Sequence, residues 1–246
     1  MEARLISNRR QWNTFIAATP TGHLCQTYEW ADNSGEAAGA GSLRVGVLDN
    51  AGQLVAAMLL VRSKASGVRA PFFYAPRGPV IADPAAPALV ALIKCATQEA
   101  REAGGFFIRA EPNIPQEDTA WAAALHRLGF RDTSHHIYLR GAWVTDLRAS
   151  EDELLARMMT TWRQNIRSGA RKGLTVRLGA GEADLDAFYR LLAETGERDR
   201  FYVYPKQLYR DMLANYSAER ADRDATAQMA LLLAEYEGEP IAAATV

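Results

Sequence analysis

Leu43-Arg44-Val45-Gly46-Val47-Leu48, Asp49-Asn50-Ala51-Gly52 and Gln53-Leu54-Val55-Ala56-Ala57-Met58-Leu59-Leu60-Val61-Arg62 read as two apolar strands around a turn. Asp and Asn side chains bond to the backbone just ahead of them, and Gly accepts positive φ, so the middle cluster predicts a β-hairpin. Before it, Trp12, Phe15 and Ile16 recur at helical spacing and predict a helix over 8–18. After it come a short strand at 72–75, the stiff loop Pro76-Arg77-Gly78-Pro79, and a helix over 87–103 closed by Gly104 and Gly105. A buried strand is expected at 106–110, then a helix over 118–128 ended by Gly129, then strand-like segments at 130–139 and 143–147.

A second round of the same kind follows. Ser150-Glu151-Asp152-Glu153 is a capping box, in which the serine accepts from an orphan helix N–H and the glutamate reaches back. Thr161-Trp162-Arg163-Gln164 looks similar and opens a second short helix that Gly173 would end. A strand at 174–178 precedes an amphipathic helix over 183–195 with Leu185, Phe188, Leu191 and Leu192 inward. Another helix runs over 205–216 with Pro205 in its first turn, and strands at 229–236 and 241–246 flank Glu237-Gly238-Glu239-Pro240. Two rounds of helices, hairpin and strand predict a mixed α/β protein of two similar modules, 1–147 and 148–246. The last strand wants a neighbour and a continuation, so the second module is expected to be incomplete.

A chain of 246 residues with 48% hydrophobic and 23% charged residues can bury a real core, which excludes wholesale disorder. A net charge of -1 argues against a sequence-blind nucleic-acid binder but leaves room for a local basic patch. Cys25 and Cys95 stand far apart without metal-ligand spacing, and read as reduced thiols of a cytoplasmic protein. The first ten residues hold no apolar signal region, and the longest apolar run, 54–61, is far shorter than the roughly 20 residues a membrane span needs. His23, His126, His135 and His136 show no HExxH spacing, and there is no GxSxG, Walker A or GxGxxG motif. No metal or cofactor is expected.

The stretch 157–177 holds six basic residues and no acidic one. On a helix Arg163, Arg167 and Arg171 fall at i, i+4 and i+8, stacked on one face, where like charges repel by roughly 0.2–0.5 kcal/mol per pair. Two readings stay open. The stripe grips an anion through its guanidinium forks, or it is a solvated face neutralised by Glu151, Asp152 or Glu153. The cluster Thr195-Gly196-Glu197-Arg198-Asp199-Arg200-Phe201-Tyr202-Val203-Tyr204-Pro205 reads as a loop suited to phosphate and uracil or sugar contact, or as one whose Arg and Asp pair with each other. Glu111, at a strand end before Pro112, is either a general base for an amine or the partner of a neighbouring arginine.

Gln26-Thr27-Tyr28-Glu29-Trp30, Tyr74-Ala75-Pro76-Arg77-Gly78-Pro79-Val80, Arg109-Ala110-Glu111-Pro112 and Leu128-Gly129-Phe130 resemble the first module of the FemABX aminoacyltransferases. Trp162-Arg163-Gln164-Asn165-Ile166-Arg167, Ala170-Arg171-Lys172-Gly173, Phe188-Tyr189, Thr195, Arg198-Asp199-Arg200-Phe201 and Gly238-Glu239-Pro240-Ile241-Ala242-Ala243 are similar to the second. As an ordered set they span essentially the whole chain. The resemblance implies two GNAT-like acyltransferase modules with a cleft between them. It implies aminoacyl-tRNA as donor and co-substrate, and a nucleotide- or lipid-linked peptidoglycan precursor as acceptor. A stem-peptide amine would attack the aminoacyl ester and expel the tRNA 3′ end. Such a protein is cytoplasmic, with peripheral contact at the inner membrane face.

On the same resemblance Glu111 takes the place of a carboxylate near the acceptor amine. Arg77, Arg163, Asn165, Arg167, Arg171, Arg198, Arg200 and Tyr204 are the substrate-binding candidates, with Arg198, Arg200 and Tyr204 assigned to the pyrophosphate and uridine. One departure stands out: Asn33 occupies a position where some members carry a phosphate-binding lysine. The competing readings are an acyl-CoA-dependent GNAT N-acyltransferase, whose pyrophosphate-holding glycine loop is not found, and a non-catalytic module for an anionic glycopeptide or RNA.

Overall fold

The computed structural model describes residues 1–33, 41–64, 71–115, 117–134, 137, 141, 145–217 and 228–246. They divide into two units, Met1–Ser134 with Ala214–Gln228, and His135–Leu213 with Met229–Val246. In the first unit, β1 (Glu2–Leu5), β2 (Leu43–Leu48), β3 (Leu54–Ser63), β4 (Phe72–Arg77) and β5 (Ile108–Pro112) form one sheet in that order. The hairpin is where the turn chemistry puts it. Asp49 accepts from the Ala51 and Gln53 amides at 2.9 Å each, and Gly52 sits at φ 77°. Neighbours are antiparallel except β4 and β5, which run parallel. A parallel pair needs a crossover, and α3 (Pro87–Glu102) supplies it.

The long apolar run of β3 is explained by burial on both of its faces. Ala56, Met58 and Leu60 share a core with Val45, Val47, Phe73, Ala75 and the α3 residues Leu89, Leu92 and Ala96. Ala57, Leu59 and Val61 face the other way, against Val80 and against Trp12 and Ile16 of α1 (Arg9–Ala18). Asn8 caps α1 by accepting from the Gln11 amide at 3.0 Å. A short helix, α2 (Trp30–Asn33), follows a 3-10 turn at Leu24–Gln26.

Three expectations need correction here. The fourth strand runs on through Pro76 and Arg77, because both pair with β5. The fifth begins two residues later than expected and is only half-buried, with Phe106 and Phe107 left outside it and exposed. Beyond α4 (Thr119–Arg127), capped by Asp118, residues 130–134 form no strand. Only Phe130 packs on the core, while Arg131 to Ser134 are exposed and Asp132 pairs with His126 at 3.2 Å. Most of 135–144 lies outside the described residues, and of the second strand expected there, at 143–147, the described residues Thr145, Asp146 and Leu147 form no strand.

The second unit opens with α5 (Glu151–Arg157), whose capping box is present in both directions. α6 (Thr160–Arg171) starts without the box expected of Thr161: its cap position is Met159, which has no side-chain oxygen to offer. β6 (Thr175–Leu178), β7 (Leu231–Tyr236) and β8 (Glu239–Thr245) form an antiparallel sheet. Glu237 and Gly238, at φ 51° and 83°, make the two-residue turn between β7 and β8. Leu185 and Phe188 of α7 (Gly181–Asp199) pack on Leu231 and Leu233, with Tyr209 and Leu213 of α8 (Lys206–Asn215) alongside. No helix of the described residues is long and apolar enough to cross a membrane.

Arg177 of β6 ties this sheet to α7. It donates to Asp184 at 2.7 Å through both terminal nitrogens and to Glu235 at 2.8 Å. Those bonds, with one from the Ala180 amide, pull the Asp184 carboxyl down from 3.8 to about 2. A carboxyl depressed in the folded state adds stability above its ordinary value and loses it as pH falls through the folded one. The melting temperature of this unit, followed by circular dichroism, is therefore expected to drop between the ordinary 3.8 and about 2. Asp184→Asn should flatten that drop; an unchanged pH profile in the variant would refute the linkage.

Candidate functional site

The carboxyl ends of β4 and β5 emerge side by side, the position where ligands settle on parallel strands. In this register Tyr74 lies opposite Arg109 and Pro76 opposite Glu111, so all four side chains leave one face of the sheet. Tyr74, only 5% exposed, donates its hydroxyl to Glu111 Oε2 at 2.7 Å. The half-buried carboxylate is thus oriented by a phenol from the neighbouring strand. Arg77 ends β4 at φ 56°, a left-handed conformation that breaks the alternation of the strand.

β3 and β4 pair only where Val61–Ser63 meets Phe72–Tyr74, and β3 has moved to Val80 by Ala57. Between those points the two strands separate, and the side chain of Gln26 fills the gap. Its Oε1 accepts from the Leu59 amide at 2.8 Å, and its Nε2 donates to the Pro76 carbonyl at 2.7 Å. Gln26 is fully buried, and a Cβ on Gly78 would come within 2.7 Å of its amide, so only glycine fits there. Its own carbonyl accepts from Trp12 Nε1 at 2.7 Å.

The rest of that motif is equally committed. Thr27 Oγ1 donates to the Leu24 carbonyl at 2.8 Å and therefore accepts from Tyr216 at 2.7 Å. Glu29 is buried against Asn13, whose Nδ2 donates to both of its oxygens, and forms an ion pair with Arg9. The residues that make the stretch recognisable hold the strand end in place.

His23 stands in the same loop. Its Nδ1 accepts from the Cys25 amide at 3.1 Å; burial, and then the charge of Arg77, hold its pKa below the ordinary value. Neither cysteine forms a disulfide. Among the described residues no three His, Cys, Asp or Glu side chains gather as metal ligands. The Asn33 side chain lies outside the described positions.

The remaining candidates belong to the second unit. Arg163 donates to the carbonyls of Ala156 and Met158 at 2.9 and 2.6 Å and to Thr160 Oγ1 at 3.2 Å. It satisfies the orphan carbonyls at the end of α5. Glu153 does not neutralise it, being occupied with the cap of Ser150. Asn165, Arg167 and Arg171 are exposed on α6, beside Trp162, which is 63% exposed. Arg198 and Asp199 pair at 2.9 and 3.0 Å on the last turn of α7, which is helix where a loop was expected. Each holds the other charged: the Arg198 pKa rises and that of Asp199 falls. Arg200 is the left-handed cap of that helix, and the exposed Tyr204 ring meets Tyr202 edge-on at 5.1 Å. Tyr74 and His23 escaped sequence reasoning, since their roles depend on strand register and loop position.

The model of the FemAB family matches residues 8–223. Lipid II:glycine glycyltransferase of Staphylococcus epidermidis is 27% identical over 249 residues, covering 98% of this chain and 57% of that protein. The protein of the same name from Staphylococcus aureus strain MRSA252 is 26% identical, covering 92% and 54%. The chain thus spans a little over half the length of the curated relatives it matches. The crystal structure of FemX superposes with a TM-score of 0.79 at 24% identity, over 95% of this chain and 57% of that one. That likeness bears out the α/β fold class, in the fold of FemX.

Proposed function

The chain belongs to the FemAB family, and from that premise we propose that it serves aminoacyl transfer from aminoacyl-tRNA to the stem peptide of a peptidoglycan precursor. The observation that carries the reading is Glu111, held by Tyr74 at the carboxyl end of a parallel strand pair in a chain of this family. The curated relatives are named for transfer of glycine to lipid II, which supports an acceptor of that class.

In this reading the stem-peptide amine binds beside Glu111, which takes a proton from it as nitrogen attacks the ester carbonyl. The new C–N bond forms, the ester C–O bond breaks, and the proton passes to the departing 3′ oxygen of the tRNA. Tyr74 keeps the carboxylate in line for this step. Arg77 takes an anionic part of the acceptor. Arg167, Arg171 and Asn165 meet phosphate in this reading, which their exposed side chains support, whereas Arg163 keeps capping α5. Arg198, Arg200 and Tyr204 are assigned to the pyrophosphate and uridine; Arg198 has to exchange Asp199 for that role. No cofactor enters this chemistry, and the reaction belongs at the cytoplasmic face of the membrane, with the protein in peripheral contact.

Calorimetry of the full chain tests the reading. A nucleotide-linked pentapeptide precursor is expected to bind, and acetyl-CoA is not. Binding of acetyl-CoA alone would replace the proposal with an acyl-CoA-dependent enzyme. Precursor binding without transfer from charged tRNA would make the chain a binding module.

A further inference from the structure

The segment from Thr21 to Gln26 is held onto the end of β4 and β5 at several points. Thr21 Oγ1 donates to the Ile81 carbonyl at 2.9 Å and accepts from its amide at 3.1 Å. The Gly22 carbonyl accepts from Asn113 Nδ2, just past β5, at 3.4 Å. Gln26 bonds to the Pro76 carbonyl, one residue before Arg77. Gly22 lies so close to the Ile16 carbonyl that a Cβ would sit 1.8 Å from it, so this loop has one tight path. His23 is carried by that path to the strand end where Arg77 leaves β4.

The ring of His23 is oriented as well as placed. With Nδ1 accepting from the Cys25 amide, a neutral imidazole carries its hydrogen on Nε2, as a donor. We infer that His23 Nε2–H and the Arg77 guanidinium form an oxyanion-holding subsite at the carboxyl end of β4 and β5, which takes a phosphate or carboxylate group of the acceptor. The inference rests on the transferase reading and deepens it. A carboxylate on β5 and a cation plus a neutral donor at the end of β4 make a dipolar site. It complements an acceptor that presents an ammonium and an oxyanion together: Glu111 receives the amine, and Arg77 with His23 receives the negative group.

Two substitutions separate this role from a merely structural one. Asn at position 23 can still cap the Cys25 amide with its Oδ1 but loses the distal donor. Gln supplies a distal N–H near the place of Nε2 and loses the cap. Binding of the nucleotide-linked pentapeptide precursor is measured by calorimetry on the full chain, with thermal melts to confirm folding. His23→Asn is expected to weaken binding about tenfold or more, and His23→Gln by no more than about threefold, as for one hydrogen bond to a charged group. The opposite order, or two variants that bind as the parent does, would reduce His23 to a cap and overturn the subsite. Repeating the series with the precursor stripped of its phosphates identifies the group. Loss of the Asn effect assigns a phosphate, and its persistence assigns a stem-peptide carboxylate. If the unsubstituted chain binds neither form, the transferase reading itself falls, and this inference with it.

Discussion

Gln26→Leu is expected to destabilise the first unit by about 3 kcal/mol or more, a loss seen as a lower urea midpoint with an unchanged slope. Leucine matches glutamine in size, so the effect isolates hydrogen bonding from packing. In the native chain the amide occupies a buried gap between separating strands, where the Leu59 N–H and the Pro76 carbonyl have it as a partner. Removing it leaves two buried backbone groups unsatisfied, at about 1–3 kcal/mol each. Against a total stability of about 5–15 kcal/mol that is a large fraction. Gln26→Glu is a sharper comparison. It keeps an acceptor for Leu59 but sets a carboxylate against the Pro76 carbonyl, and is expected to cost more than leucine does. A midpoint equal to that of the parent in both variants would mean that the gap admits water.

Local chemistry was legible in the sequence, and register was not. The hairpin and the capping box of Ser150 were readable because each is decided by four or so neighbouring residues. The start of β5 was misplaced because Phe106 and Phe107 look like core. They stay outside the strand instead, Phe107 stacked on Phe72 at 4.9 Å and Phe106 edge-on to Phe107. The helix expected to end at Thr195 instead passes through Gly196 to Asp199. Gly196 is buried, and a Cβ there would meet Val203 at 2.3 Å, so the glycine serves close packing; Arg200 is the cap. Glu111 could be nominated as a carboxylate at a strand end. Its partner Tyr74 is 37 residues away, and nothing short of the strand pairing joins them. The arginine stripe was visible as spacing, but the use of Arg163 as a cap depends on the corner between α5 and α6.

The largest functional effect is expected at Glu111. If this carboxylate accepts the amine proton, Glu111→Gln should slow transfer by about 100-fold or more, in the range general bases contribute. The glutamine keeps the size of the side chain and can still accept from Tyr74, so precursor affinity should change little, and the loss should fall on kcat. That split separates a base from a residue that only holds the strand end, since a structural role would lower affinity and melting temperature together. Tyr74→Phe supplies the gradation. It removes the hydroxyl 2.7 Å from Oε2 while leaving the carboxylate in place, so the rate should fall by less than in the glutamine variant. Raising the pH should help the glutamine variant more than the parent, because a larger share of the acceptor amine is then neutral without a base. Transfer at the parental rate by Glu111→Gln, measured with charged tRNA and the precursor at saturation, would take the proton-accepting role away from this residue.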